Sequence, residues 1–227
     1  MQVGNARYLN VGDVPEIIPV FPLTGALLLP AGQLPLNVFE PRYLAMFDAA
    51  IASHRLIGMV QPALGEPVEG QRGTDKPALC NVGCIGRITA LSETGDGRYI
   101  ISLGGVCRFR LLEEVTSPAI PYRNFRIAPM VADFGCHDEE ASVDRTALLA
   151  AFRAYLVANK LEADWESVER ASNLTLVNSM SMMSPFGPAE KQALLEAPDL
   201  KTRAETLIAI TEIVLAREYG DNDNMLQ

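Results

Sequence analysis

Residues 82–112 read VGCIGRITALSETGDGRYIISLGGVCRFRLL, and this stretch decides the fold class. Its first part is a run of apolar and β-branched residues, which predicts a strand. Thr94-Gly95-Asp96-Gly97 follows, with residues that tolerate the positive φ angles of a hairpin turn. Two more strands are predicted at 98–103 and 106–111, joined at Gly104-Gly105. The pattern indicates consecutive antiparallel strands.

The residues before this stretch predict further short strands and one helix. Apolar runs interrupted by proline lie at 17–23, 27–30 and 34–39, and proline favours edge strands. Pro41 suits the first position of a helix, because that position needs no N–H donor. Strands at 55–60 and 122–127 bring the total to about seven, which is typical of a small barrel-like sheet.

Beyond about residue 130 the apolar period changes from two to 3.6, which predicts helices. Apolar stripes place them at 148–155, 165–177, 188–197 and 200–215, with Asp199 as a predicted N-cap. The predicted fold class is therefore α+β, a PUA-like β-barrel followed by a C-terminal antiparallel helical bundle. The predicted limits are a flexible arm at 1–15, the barrel at 16–130, an acidic linker at 131–143, the bundle at 144–218 and a frayed tail at 219–227.

Charge divides the chain at the same place. Residues 1–130 contain 11 acidic and 11 basic side chains, whereas residues 131–227 contain 17 acidic and 8 basic ones and hold the whole net charge of −9. This acidity argues against a general binder of phosphate backbones. An apolar content of 48% excludes a disordered chain. Four cysteines, no apolar run of membrane-spanning length and no signal-peptide pattern predict a cytoplasmic protein without a membrane partner.

Several blocks resemble the N-terminal domain of Lon proteases. They are Pro19-Val20-Phe21-Pro22-Leu23, the run from Leu34 to Tyr43, Val82 to Ile88, Gly105 to Phe109 and Glu190 to Glu196. The resemblance implies the PUA-like barrel, the helical bundle and a role in recognising protein substrates. No Gly-x-x-x-x-Gly-Lys-[Ser/Thr] loop is found in the sequence, and the ATPase and Ser–Lys protease modules of full Lon enzymes are not matched. We therefore expect a stand-alone, non-enzymatic member, with no catalytic residues and no cofactor.

The block Phe39-Glu40-Pro41-Arg42-Tyr43 is predicted to be a structural motif rather than a binding site. Pro41 begins the helix, Phe39 is expected to pack inward, and Glu40 and Arg42 are expected to pair with each other or with nearby backbone groups.

Two segments are candidates for binding polypeptide. The first is the methionine-rich run at 178–186, because flexible thioethers line adaptable peptide-binding surfaces as well as filling core gaps. The second is the predicted exposed loop at 62–78, since long loops in compact domains are often functional. The residues proposed to contact polypeptide are Leu64, Val68, Met180, Met182, Met183 and Phe186.

The sequence contains residues for three other kinds of site: a catalytic dyad, a zinc site and an anion-binding surface. A Ser–Lys dyad from Ser179, Ser181 or Ser184 with Lys160 or Lys191 lacks any sign of an oxyanion hole. Cys80, Cys84, Cys136 and His137 do not have the paired spacing of a structural zinc site, so buried thiols and no metal are expected. The alternative function is binding of nucleic acid or a small anionic ligand by the arginines of the barrel. The barrel arginines in question are Arg87, Arg98, Arg108, Arg110, Arg123 and Arg126. Their positive charge only slightly exceeds the negative charge of the neighbouring acidic residues, so nucleic acid is an unfavoured partner. No oligomeric state is predicted.

Overall fold

The computed structural model describes residues 1–65, 76–135 and 142–224. The chain divides into two compact units, which are described separately below. The sheet unit comprises Met1–Cys136 together with Phe186–Leu195, and the helical unit comprises His137–Pro185 and Glu196–Gln227. Strands followed by helices confirm the α+β class. None of the helices in the described ranges combines the length and apolarity needed to cross a bilayer.

A six-stranded mixed sheet forms the first unit. Its order is β4-β7-β6-β5-β3-β8, in which β3 and β5 run parallel and the other neighbours run antiparallel. The last strand, β8, also pairs with the second half of β7. The strands are β3 (Ile17–Pro22), β4 (Gln33–Val38), β5 (Leu56–Val60), β6 (Val82–Glu93), β7 (Tyr99–Val115) and β8 (Arg123–Pro129).

The first fifteen residues are folded onto the sheet and do not form the expected mobile arm. Strands β1 (Gln2–Val3) and β2 (Ala6–Arg7) pair as a small hairpin. Val3, Tyr8 and Val14 join the buried cluster that contains Ile85 and Phe109. Burial of these apolar side chains stabilises the segment, and its polar composition alone conceals this.

Strand β3 is an interior strand, so the prediction of an edge strand is wrong for it. Its two neighbours pair along different halves: β8 pairs with Ile17–Val20, whereas β5 pairs with Val20–Pro22. Each proline therefore lies where the strand is paired on one side, and the missing N–H groups leave no gap in a ladder. The proline-containing strand at the edge of the sheet is β4, which contains Pro35 and, among the described strands, pairs only with β7.

Residues 27–29 do not form the predicted strand, although all three leucines are buried. This segment crosses β7 at Gly105, where the amide N–H of Ala31 donates to the Gly105 carbonyl and that of Gly105 donates to Gly32. A Cβ atom on Gly105 would lie 2.0 Å from the Leu29 carbonyl oxygen. Gly104-Gly105 is therefore not a turn: β7 continues through it, and glycine there permits close backbone contact.

Within the described residues, two α-helices belong to the sheet unit. Helix α1 (Pro41–Ile51) buries Tyr43, Met46, Phe47 and Ala50. Helix α5 (Pro188–Glu196) was assigned to the bundle from the sequence, but it lies in the sheet unit, where buried polar side chains hold it. The sequence pattern could not reveal this, because α5 buries Lys191 and Gln192 alongside Leu194 and Leu195.

Buried hydrogen bonds attach α5 to the sheet. The Gln61 side-chain amide donates to the Pro188 carbonyl at 2.9 Å and to Gln192 Oε1 at 3.1 Å, and Gln192 donates to the Val82 carbonyl at 3.2 Å. The Arg108 guanidinium forms a buried salt bridge of 2.7 Å with Asp133 and also donates to the Leu195 carbonyl at 3.2 Å. Each contact satisfies a polar group that burial would otherwise penalise.

Four helices are found in the described part of the helical unit: α2 (Arg145–Ala158), α3 (Trp165–Arg170), α4 (Asn173–Met183) and α6 (Leu200–Asn224). Helix α6 packs against α2 and α4. The single helix predicted at 165–177 is divided, because the Ser172 side chain accepts from the Thr175 amide and begins α4 as its N-cap. Asp199 accepts from the Thr202 amide at 2.7 Å, as an N-cap does. The helix continues to Asn224, into the predicted tail.

The Gly105 contact predicts that Gly105→Ala destabilises the fold strongly. The added Cβ would meet backbone rather than a flexible side chain, so relief requires the 27–32 segment or β7 to move. We expect the free energy of unfolding in urea to fall by at least ~3 kcal/mol. Gly95→Ala in the hairpin turn is the matched control, since nothing lies within 4 Å of its Cβ position. Equal losses for both variants would contradict this account of β7.

The buried Arg108–Asp133 pair gives a second prediction. Asp133→Asn leaves the guanidinium buried without its counter-charge, and such truncations cost about 3–5 kcal/mol of unfolding free energy. Asp96→Asn removes the same charge from the exposed pair with Arg98 and should change stability far less. The double variant Arg108→Met/Asp133→Leu should recover part of the loss. Denaturant unfolding of the parent and the three variants measures these changes. A loss for Asp96→Asn as large as that for Asp133→Asn, or a double variant no more stable than Asp133→Asn, would contradict the prediction.

Candidate functional site

The helical unit has an apolar groove between α2, the segment before α3, and α4. Its cavity volume is about 550 Å³, within the range of ligand-binding clefts. Its lining is mostly apolar and includes three positions on α2 and four on α4. The lining residues are Phe152, Tyr155, Leu156, Asn159, Leu161, Glu162, Ala163, Val168, Leu176, Ser179, Met180, Met183, Ser184 and Pro185.

Local capping shapes this groove. The Asn159 side-chain amide donates to the Tyr155 carbonyl at 2.9 Å and the chain then turns at Lys160, whose φ is +53°, so α2 ends there. Asp164 begins α3 by accepting from the amides of Glu166 and Ser167, and its pKa is lowered chiefly by the hydrogen bond from the Ser167 hydroxyl. The residues between the two caps form one wall of the groove.

Arg145 joins the two helices that follow. Its guanidinium donates to Asn173 Oδ1 at 2.7 Å and to the carbonyls of Val168 and Glu169 at 2.9 Å and 3.0 Å. The end of α3 and the start of α4 are therefore held together by one planar donor group, whose geometry suits several acceptors at once. This arrangement positions Val168 and the α4 residues around the cavity.

Large apolar side chains are exposed beside the groove. Met183 is 83% exposed and Val157 75% exposed. A second concavity of about 510 Å³ shares four lining residues with the groove, namely Leu156, Leu161, Glu162 and Ala163. Its lining also contains Trp165, whose ring lies 6.0 Å from that of Phe152 and 4.6 Å from the Arg153 guanidinium carbon. Contiguous exposed apolar surface of this kind marks interaction sites.

The predicted polypeptide-binding residues divide between the two units. Met180 and Met183 line the groove, whereas Met182 is half-buried and lies outside its lining. Phe186 is buried and belongs to the sheet unit, as does the exposed Leu64. Val68 lies outside the described residues. The structure thus brings two of the six residues together in one cavity.

Sequence reasoning missed the other half of the groove. Phe152 and Tyr155 lie on the apolar stripe that predicts a helix at 148–155, and a periodicity of 3.6 does not distinguish a face packed in a core from one that lines a groove. Leu161 follows α2 in a segment without periodicity, so the pattern assigns it no role. The signal available in the sequence was that Val157 and Leu161 are apolar although they lie off that stripe. In the structure both side chains are exposed.

The block at residues 39–43 has the local geometry of a strand-to-helix corner. Pro41 is the first residue of α1, and Arg42 Nε donates to Glu40 Oε2 at 3.0 Å. Tyr43 is buried with its ring centroid 4.3 Å from that of Phe21, and this burial raises the pKa of its hydroxyl. The inward packing expected for Phe39 is wrong, because its side chain is 62% exposed. Phe39 lies outside β4, which ends at Val38.

A polar cleft of about 650 Å³ lies in the sheet unit beside this corner. Its lining includes Arg42, Tyr43, Lys76, Glu114 and Arg123. Arg123 binds Glu114 through two hydrogen bonds of 3.0 Å and 2.7 Å, and the bond from Arg123 is the main reason that the pKa of Glu114 is lowered. The cleft's arginines are thus engaged with carboxylates.

The remaining predicted arginines are also engaged, apart from Arg110, which is exposed. Arg126 pairs with Glu16 at 2.7 Å and Arg98 with Asp96 at 3.0 Å. Arg87 donates to the Tyr8 hydroxyl and the Asn5 side chain. The positive face that an anion binder requires is therefore largely neutralised by neighbours within the sheet unit.

The groups of the hypothetical dyad and zinc site have structural partners. The Ser181 hydroxyl donates to the Val177 carbonyl at 2.7 Å, and the Lys191 ammonium donates to the Gly25 carbonyl at 2.9 Å. Cys84 and Cys107 are buried, and burial raises the pKa of the Cys107 thiol to about 12. Cys136 and His137 lie outside the described residues, within which no cluster of metal-ligating side chains is found.

Comparison with known proteins gives a consistent result. Lon protease 2 of Myxococcus xanthus is 26% identical over 212 residues, which cover 89% of this chain and 24% of that protein. The Lon protease of Parabacteroides distasonis is 29% identical over 226 residues, which cover 92% of this chain and 25% of that protein. The chain therefore spans about a quarter of the length of these relatives.

Two solved structures share the fold at 20% identity. The Lon N-terminal domain protein from Xanthomonas campestris has a TM-score of 0.58 and covers 85% of this chain and 97% of its own. The N-terminal domain of the Mycobacterium avium complex Lon protease has a TM-score of 0.63 and covers 86% of this chain and 98% of its own.

A family model confirms the resemblance seen in the sequence blocks. It is described as the ATP-dependent protease La (LON) substrate-binding domain, and it matches residues 17–212. Since that match includes most of the sheet unit and most of the helical unit, the protein belongs to the LON substrate-binding domain family.

Proposed function

We propose that this protein is a non-enzymatic substrate-recognition module that binds exposed apolar segments of polypeptides in the groove of its helical unit. The single observation that carries the proposal is the groove itself, which combines a cavity of about 550 Å³ with Met183 exposed at its margin. Membership in a family named for substrate binding supports the same assignment.

The chemistry of the groove suits varied apolar partners. Methionine has three rotatable side-chain bonds and a polarizable sulfur, so Met180 and Met183 adapt to side chains of different shape. Phe152 and Tyr155 provide rigid aromatic surface on the opposite wall. A flexible wall facing a rigid one favours recognition by apolar character rather than by a fixed sequence.

We propose that this protein has the barrel-and-bundle architecture of its family and catalyses no reaction. The sheet would be a PUA-like barrel, supported by the pairing of β8 with both β3 and β7, and the helices an antiparallel bundle, supported by the packing of α6 on α2 and α4. The groove holds no arrangement of nucleophile and base, and the candidate Ser181 and Lys191 donate to backbone carbonyls. The protein would then serve as an adaptor in protein quality control, delivering clients to a separate partner.

The same proposal places the protein in the cytoplasm. No disulfide joins the described cysteines, and the sequence contains four in all, which suits a reducing compartment. The alternative, binding of nucleic acid or a small anion by the sheet unit, is weakened by the ion pairs of Arg108, Arg123 and Arg126.

The proposal predicts that Met183→Asp weakens polypeptide binding. A carboxylate at the groove margin would have to lose water against apolar ligand side chains, while the exposed position places it outside the core. We expect the Kd for a fluorescently labelled unfolded protein, such as reduced casein, to rise roughly five- to tenfold, from loss of about 1 kcal/mol or more of apolar contact. Fluorescence anisotropy measures the change.

Ile213→Asp is the matched control for this experiment. Ile213 lies on α6 in the same unit, is 51% exposed and does not line the groove. It should leave the Kd unchanged, and both variants should keep the thermal midpoint of the parent protein. Equal binding by the parent and Met183→Asp would remove the groove from consideration, and no binding by the parent would reject the function.

A further inference from the structure

The groove contains a carboxylate that neither the fold nor the apolar recognition proposed above accounts for. Glu162 lines both the groove and the second concavity. It is exposed, and it forms no ion pair within the described part of the chain. Among the described residues that line the groove, Glu162 alone carries a formal charge.

We propose, as a refinement that rests on the proposed function, that the groove selects apolar polypeptide segments carrying a lysine or arginine next to their apolar side chains. Glu162 would accept the cationic head while the apolar stem of the same side chain packs against Leu161 and Leu156. Lysine and arginine have the required shape, because three or four methylene groups separate the charge from the backbone.

Neighbouring charges leave Glu162 available for this role. Asp164 accepts hydrogen bonds from the amides of Glu166 and Ser167 as the cap of α3. Glu166 pairs with Arg170 at 3.2 Å, and Arg153 stacks on Trp165. Lys160, two residues before Glu162, is exposed and lines neither concavity. The carboxylate of Glu162 is thus the group in the groove that a bound cation would meet.

Longer-range charge acts in the same direction. Residues 131–227 carry the whole net charge of −9, from 17 acidic and 8 basic side chains. They contain all of the helical unit, together with residues 131–136 and 186–195 of the sheet unit. A surface with this field attracts cationic segments and repels anionic ones, which raises association rates and disfavours acidic partners. Selection by charge therefore combines a local contact with a general attraction, and only the local part depends on Glu162.

The test compares two labelled peptides that bind the full chain. They share one apolar core, and the flanking residues are lysine in one and glutamate in the other. At low ionic strength we expect the lysine peptide to bind about fivefold more tightly by fluorescence anisotropy, as one exposed ion pair provides. Glu162→Gln should reduce this ratio to about twofold or less, and added salt should reduce it in the parent protein.

Glu169→Gln is the matched control, because Glu169 is exposed on α3, lines neither concavity and loses the same charge. Retention of the ratio in this variant, with its loss in Glu162→Gln, supports the inference. A ratio near one in the parent, or equal losses in both variants, overturns the inference while leaving the proposed function intact. Failure of the parent to bind either peptide overturns the proposed function itself.

Discussion

A buried guanidinium group determines how the parts of the sheet unit fit together. Arg108 is 4% exposed, and its partner Asp133 is 7% exposed. The Asp133 carboxylate also accepts from the Arg108 backbone amide at 2.7 Å, and the guanidinium reaches the Leu195 carbonyl. A charge this deeply buried is tolerated only when its donors are satisfied. Strand β7, the 3-10 helix at Val131–Phe134 and the end of α5 must therefore come together in one arrangement.

Strand β7 is the element on which the other contacts of this unit converge. The first half of its 17 residues pairs with both β4 and β6, and its second half pairs with β8. Its glycine pair admits the backbone of the 27–32 segment. Phe109, from the same strand, is fully buried in the apolar cluster that also takes in residues of the N-terminal hairpin. A long strand with glycine at its centre can contact all these elements, because glycine has no side chain to prevent another backbone from approaching closely.

The two units use their surfaces differently. In the sheet unit, most of the predicted arginines are engaged with carboxylates or other polar groups, so little uncompensated charge remains for an anionic ligand. In the helical unit, capping at Asn159 and Asp164 ends one helix and begins the next, and the short segment between them leaves apolar side chains uncovered. Because α2 ends at Ala158 and α3 begins only at Trp165, no helix covers the apolar faces beside this segment. The apolar groove therefore remains open on a unit that is otherwise acidic.

The sequence by itself determined the local features of this protein. Strands β5, β6 and β8, the hairpin turn at Thr94–Gly97, the start of α1 at Pro41 and the cap at Asp199 follow from periodicity, turn residues and capping preferences, which act over a few residues. Strand β7 was predicted as two strands, because its glycine pair reads locally as a turn. The family resemblance followed from residue blocks of the same local kind. Met180 and Met183 were also identified, because their chemistry is visible without coordinates. Tertiary structure alone decided the role of Gly105, the interior place of β3, the attachment of α5 and the pairing of Phe152 with the methionines across a groove. Each of these depends on contacts between residues distant in the chain, such as Gln61 with Gln192, and no local pattern specifies which distant group will satisfy a buried polar atom or leave an apolar face open.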